Sequence, residues 1–170
     1  GSRNFSQFNT EIKVEGIDFY YQQTRILKDV SLRIPKNKTV AFVGESGSGK
    51  TTMVNLISGL MQSDKGRITI DDVSYSEIDV RTLQNRIGYI SQDPVVFSDS
   101  IFDNVTKWEK RTEESKKRFW YALEQAAIAD FVRTLPELEN TMLGNNGIQL
   151  SGGQKQRMSI ARELYKDIDI

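Results

Sequence analysis

The sequence predicts an α/β fold, and three observations carry that prediction. Residues 12–34, IKVEGIDFYYQQTRILKDVSLRI, alternate in two runs separated by QQT, the pattern of an antiparallel strand pair with one buried face. TVAFVG (39–44) is a short, nearly continuous apolar run, which suits a strand covered on both faces, the kind found in parallel sheets. That run leads straight into a glycine-rich turn and a helix, and after Pro94 the texture becomes mostly helical.

Each element follows from its local pattern. In KTTMVNLISGL, which opens at Lys50, the residues Met53, Leu56, Ile57 and Leu60 make one apolar stripe at helical spacing. GRITID and IGYIS are further strand candidates. Residues 112–133, TEESKKRFWYALEQAAIADFVR, carry charge early and apolar residues at helical period, with Thr112 placed as N-cap before two glutamates. LGNNG (143–147) is a turn cluster. Ser151 is placed to cap a last helix running to about Lys166, with Met158, Ala161 and Leu164 on one face. DIDI, the last four residues, alternates acid and apolar as the start of a strand entering a buried sheet would. The expected division is a β-rich core over 3–92, a helical lobe over 93–160 and a return to the core over 161–170, with Gly1 and Ser2 read as an expression scar.

Composition narrows the chemistry. At 170 residues the chain is most simply one domain with room for a small second lobe, and can bury roughly 70% of its unfolded surface. It has no cysteine, which excludes a disulfide framework and thiolate metal sites. It has no histidine, which removes Ser-His-Asp and Cys-His catalysis, the usual zinc sites and a histidine pH switch. Acids and bases balance at 23 each, so no global field draws in nucleic acid or an anionic surface. No apolar run approaches the ~20 residues of a membrane span, and no signal peptide is visible.

The strongest local signal is GESGSGKT at 44–51, a full G-x-x-x-x-G-K-[ST]. Gly44, Gly47 and Gly49 let the loop curl so that consecutive backbone N–H groups point inward at phosphate oxygens. The helix starting at Lys50 adds its positive end. Lys50 reaches the β- and γ-phosphates, and the Thr51 hydroxyl suits Mg²⁺. With glycine at about 7% average usage, a chance glycine turn before Lys-Thr would give this pattern in under about 1% of chains this long. A dinucleotide fingerprint fails, because GSGKTT lacks the third glycine of G-x-G-x-x-G. LSGGQKQR (150–157) then sets Ser151, Gly152 and Gly153 at a helix start, with Gln154 next. Bare N–H groups, a hydroxyl and a helix dipole make a second anion site there; taken alone, the same residues are also an ordinary capped helix start.

GESGSGKTT, then ISQD, then LSGGQKQR, in that order, resembles the nucleotide-binding domain of ABC transporters, over nearly the whole chain from about Ile12 to Ile170. SQDPVVFSDSIFDNV and ALEQAAIADFVRTLPE look like the exporter type, whose ATPase follows its membrane helices in one polypeptide. The resemblance implies a P-loop NTPase core with an antiparallel β subdomain and an inserted α-helical signature subdomain, binding ATP and Mg²⁺. The nucleotide would be held by Gly44, Glu45, Ser46, Gly47, Ser48, Gly49, Lys50, Thr51 and Thr52, with Tyr21 stacked on adenine and Tyr20 its nearest rival. Gln92 matches the glutamine that touches Mg²⁺ and the attacking water, so Lys50 and Gln92 are the catalytic candidates and Thr51 and Gln92 the metal candidates. Leu150, Ser151, Gly152, Gly153 and Gln154 match the signature that contacts the ATP of an opposite subunit, so two chains, alike or different, would pair head to tail. The segment before it departs from the family: GNNG, with Asn145 and Asn146, stands where exporters often have GERG.

The resemblance further implies an exporter's motor at the cytoplasmic face of a membrane, partnered by a second nucleotide-binding domain and a transmembrane domain and by no nucleic acid. In that family a strand after the signature helix ends in a Mg²⁺-contacting aspartate and a general-base glutamate. The sequence holds neither, so it reads as a domain whose C-terminal part is missing, hydrolysis-incompetent by itself. Two other functions were weighed. One is a nucleotide-binding regulatory module without hydrolysis. The other is a chromosome-organising or repair ATPase, which would place long coiled-coil arms between the two motifs and a basic stripe on its surface, neither of which is present.

Overall fold

The structure, a computed structural model, describes residues 1–170 apart from the side chain of Asn146. It divides into two compact units, Gly1–Ile87 with Asp169–Ile170, and Gly88–Ile168.

The first unit is organised on the expected strand pair. β1 (Glu11–Tyr21) and β2 (Thr24–Pro35) run antiparallel, joined by Gln22 and Gln23, with Gln22 left-handed at φ 56 to make the tight turn. β3 (Lys65–Ile70) pairs on the other side of β1, and β4 (Val73–Ser74) completes the order β2-β1-β3-β4. Asp71, in the β3–β4 turn, accepts the backbone N–H groups of Asn9, Thr10 and Glu11 and so ties the N-terminal segment to the sheet. α1 (Lys50–Ile57) lays Met53, Leu56 and Ile57 into a core with Ile12, Val14, Ile17 and Phe19 of β1 and Ile68 and Ile70 of β3. A short α2 (Val80–Gln84), capped by Asp79, adds Leu83.

Some expected elements take another form. The run 39–44 is not a strand: Val40 is 40% and Val43 93% exposed. Nor are 87–91 and 167–170. The physical reason is common to all three: a strand needs neighbours for its N–H and C=O groups, and among the described residues the only sheet is the four-stranded antiparallel one. Residues 169 and 170 instead dock on Arg86, whose carbonyl accepts from both backbone N–H groups while its Nε meets Asp169 Oδ2 at 3.0 Å. Leu60 leaves the expected apolar stripe because α1 ends at Ile57; it is 54% exposed.

The second unit is helical. α3 (Ile101–Thr106) is capped by Ser100, and α4 (Glu113–Gln125) by Thr112 with Ser115 completing a reciprocal capping box. The stretch of helical period over 112–133 breaks at Ala127, which turns to φ 54, and resumes as α5 (Ala129–Arg133). The break lets Ile128 and Val132 reach the core. α6 (Gly152–Tyr165) packs against α3 and α4, with Phe102, Phe119, Leu123, Met158 and Ala161 all sealed from solvent. Each of the larger side chains contributes about 1.5–3 kcal/mol by burial. Leu164 departs from the expected face and is 41% exposed, while Arg162 is buried in its stead. Arg162 Nε donates to the carbonyl of Asn104 (2.7 Å), its guanidinium lies 5.1 Å from the Phe97 ring, and Asn104 Nδ2 donates to the carbonyls of Phe97 and Ser100. A buried cation is tolerated because it is bonded and stacked. Among the described residues no helix is long and apolar enough to cross a membrane.

Candidate functional site

The glycine loop forms in the first unit as the spacing requires. Gly47 and Gly49 are left-handed, at φ 82 and 90, and α1 begins immediately after, at Lys50. A Cβ at Gly49 would stand 2.7 Å from Leu27 Cδ2 and 3.3 Å from Ile26 Cγ2, so the loop is pressed onto the start of β2 and only glycine fits. Glu45, Ser46, Gly47 and Ser48 are exposed, and the first turn of α1 carries no acidic side chain and no side-chain cap. Its positive end is therefore available to an anion. Lys50 Nζ folds back over the loop, donating to the carbonyls of Gly44 (2.8 Å) and Glu45 (2.6 Å) and to Ser48 Oγ (3.2 Å). The ammonium thus stands over the loop's own backbone, where phosphate oxygens would take over its hydrogen bonds. Thr51, exposed, and Thr52, half-buried, follow in the first turn.

The contact of Gly49 with Ile26 and Leu27 brings the tip of the β1–β2 hairpin to the glycine loop. Tyr20 is held: its N–H donates to Asp64 Oδ2 (2.8 Å), and the Arg25 guanidinium stands 5.8 Å from its ring centroid. Tyr21 is 65% exposed at the end of the strand. A cleft of about 750 Å³, lined by Leu56, Leu60, Tyr75, Ile78 and Val80, lies at the other end of α1 from the loop and takes no part in this arrangement.

The other expected residues belong to the second unit. Gln92 is exposed in a bend next to Ser91, whose Oγ donates to the carbonyl of Asp93. Leu150 is buried and anchors the start of α6, while Ser151, Gly152 and Gly153 are exposed. Ser151 Oγ accepts from the Gln154 N–H (3.2 Å) and Gln154 Oε1 accepts from the Ser151 N–H (2.9 Å). This closed capping box satisfies two of the polar groups and leaves the Gly152 and Gly153 N–H groups facing outward, again with no acid in the first turn. Gln149 Nε2 donates to the carbonyl of Gly144, and Ser98 Oγ accepts from Asn145 N–H, which ties the turn before the signature to the segment leading into α3. Sequence reasoning missed these ties, the Asn104–Arg162 clamp and the Asp18–Arg25 pair below; the one visible signal was a polar residue at an interior position, and only Asp18, Asn104 and Arg162 give it.

Among the described residues no cluster of three His, Cys, Asp or Glu side chains could hold a metal ion. The Thr51 hydroxyl at the glycine loop suits a hard cation that keeps most of its ligands as water and phosphate.

An antiparallel sheet beside a phosphate-type loop, and a helical unit that opens its last helix on Ser-Gly-Gly-Gln, define the class. The chain belongs to the ABC transporter family, whose model matches residues 27–170. The resemblance read from the motifs is borne out. The chain is similar to an ATP-dependent lipid A-core flippase of Cupriavidus pinatubonensis, 42% identical over 163 residues that cover 94% of this chain and 28% of the flippase. It is similar to multidrug resistance protein 1 of Entamoeba histolytica, 36% identical over 167 residues that cover 96% of this chain and 13% of that protein. Among solved structures it is similar to a bacterial Atm1-family ABC exporter with ATP bound, at 33% identity and a TM-score of 0.86, covering 97% of this chain and 29% of that one. The chain therefore spans under a third of the length of these relatives.

Proposed function

We propose that this chain is the ATP-binding and ATP-hydrolysing motor domain of an ABC exporter, driving transport at the cytoplasmic face of a membrane. One observation carries the reading: each compact unit presents a helix N-terminus with no acidic first turn, opened by glycines, one at Gly49 and one at Ser151. Two anion sites on one chain make sense if the second reads a nucleotide bound elsewhere, in a second nucleotide-binding domain paired head to tail.

In this reading the β-rich unit, Gly1–Ile87 with Asp169–Ile170, holds the nucleotide, and the helical unit, Gly88–Ile168, carries the signature. Backbone N–H groups of residues 44–52 cradle the phosphates, and Lys50 neutralises the β- and γ-phosphates. Tyr21 stacks on adenine, a choice supported by its exposure and by the Arg25 guanidinium beside Tyr20. The Thr51 hydroxyl would hold Mg²⁺, which when bound neutralises developing phosphate charge. Leu150, Ser151, Gly152, Gly153 and Gln154 contact the ATP of the opposite subunit, and a transmembrane domain couples to this chain. The test is Mg²⁺-dependent phosphate release by the protein as the cell makes it. Release is expected, and Lys50→Ala abolishes it. ATP binding without any release would make the chain a regulatory nucleotide-binding module instead.

A further inference from the structure

β1 and β2 do not pair evenly. Ile17 lies opposite Val30 and Phe19 opposite Leu27, so Asp18 alone faces two residues, Lys28 and Asp29. That is a β-bulge, with Asp29 at φ 48, and bulges re-aim the strand beyond them. The pairing of β1 with β3 shifts just before it, between Glu15 and Asp18. The hairpin tip that carries Tyr20, Tyr21, Thr24 and Arg25 is thus rooted in an interrupted ladder.

The Asp18 carboxylate fills that gap. Its Oδ1 accepts the N–H of Asp29 at 2.8 Å and Nη2 of Arg25 at 2.5 Å, and the residue is only 7% exposed. Arg25 is the cross-strand partner of Tyr20 and stands beside its ring. Asp64 ties the same point from the other side, donating its N–H to the Asp18 carbonyl while its carboxylate accepts from Tyr20. The residues directly after Arg25, Ile26 and Leu27, are the ones against which Gly49 of the phosphate loop is pressed.

We propose that the Asp18–Arg25 pair is a positioning element that fixes the span between the phosphate loop and the Tyr21 ring, and so selects a ligand that carries a base on its phosphates. This rests on the reading of Tyr21 as the base-stacking residue. The phosphate contacts come from backbone N–H groups and Lys50, and any triphosphate makes them. A stack, by contrast, requires the ring at one distance from those phosphates, and small displacements forfeit it. Arginine suits the role, because one planar group both grips a carboxylate and lies against an aromatic face; lysine does only the first well.

The experiment measures the affinity of the protein, as the cell makes it, for ATP and for inorganic tripolyphosphate. Arg25→Ala and Asp18→Asn are each expected to weaken ATP by roughly five-fold or more, approaching the loss in Tyr21→Ala, and to leave tripolyphosphate unchanged. Arg25→Lys is expected to recover only part of the loss. Arg25→Ala combined with Tyr21→Ala is expected to bind ATP no worse than Tyr21→Ala alone, the non-additivity of groups that act as a unit. Tripolyphosphate binding reports that a variant is folded, and where Arg25→Ala fails to fold, the near-isosteric Asp18→Asn decides. If Tyr21→Ala weakens ATP while Asp18→Asn and Arg25→Ala do not, or if they weaken both ligands equally, the positioning role is overturned and the stacking role of Tyr21 stands. If Tyr21→Ala leaves ATP unchanged, the stacking role falls and the positioning role with it.

Discussion

At Gly49 the left-handed backbone and the 2.7 Å approach of Leu27 to a would-be Cβ act together, so Gly49→Ala is expected to cost on the order of 1–3 kcal/mol, read as a fall in melting temperature. The neighbouring residues separate by ligand. In the proposed reading Tyr21→Ala removes a base stack worth roughly 1–3 kcal/mol and is expected to weaken ATP, ADP and AMP alike. In the same reading Lys50→Ala removes the charge that would face the β- and γ-phosphates and is expected to weaken ATP and ADP but hardly AMP. Titration of the three nucleotides checks both, and an unchanged set in Tyr21→Ala moves the base site elsewhere. Asp18 adds a pH dependence. The Arg25 guanidinium and then the Asp29 N–H hold its carboxyl below the usual carboxylate range. The folded chain therefore binds that proton more weakly than the unfolded chain. The stabilisation is present above the unfolded value of about 3.9 and is lost as pH falls through the lower folded value. The gap in melting temperature between the wild type and Asp18→Asn is expected to close on acidification through that window; a gap independent of pH would assign the effect of the variant to shape rather than charge.

Among the elements, α6 opens on a reciprocal cap at the residues proposed to contact a nucleotide. Ser151 and Gln154 satisfy each other across the first turn, so Ser151→Ala is expected to cost about 1 kcal/mol of stability, measurable by denaturant midpoint. No change would mean that the box contributes nothing. The elements legible in the sequence were those whose signal is local. The strand pair follows from alternation, and the starts of α1, α4 and α6 follow from Gly49-Lys50, Thr112 and Ser151. The misreadings were non-local. The run 39–44 has the composition of a buried strand, but a strand is made by its neighbours, and none pairs with it here. The break in 112–133 rests on Ala127, an alanine at φ 54 that no turn chemistry announces; packing of Ile128 and Val132 decides it. The bulge at Asp18 was hidden for the same reason, since register belongs to two strands at once.

For the molecule as a whole, the glycine loop and the signature were legible because each needs particular residues at fixed spacing. What ties each in place was not: Arg25 on Asp18, Arg162 on Asn104 and the Asn145 N–H on Ser98 join residues far apart in the chain or across a bulge. In the proposed reading the two phosphate-type loops serve different nucleotides, one bound by this chain and one by its partner. The most direct test is the ATP affinity of Ser151→Arg, measured against the wild type and Lys50→Ala in the protein as the cell makes it. The expected result is wild-type affinity together with loss of phosphate release, because the charge and bulk at Ser151 obstruct only the opposite subunit's ATP. A fall in affinity as deep as that of Lys50→Ala would contradict it, and would mean that the two loops form one site.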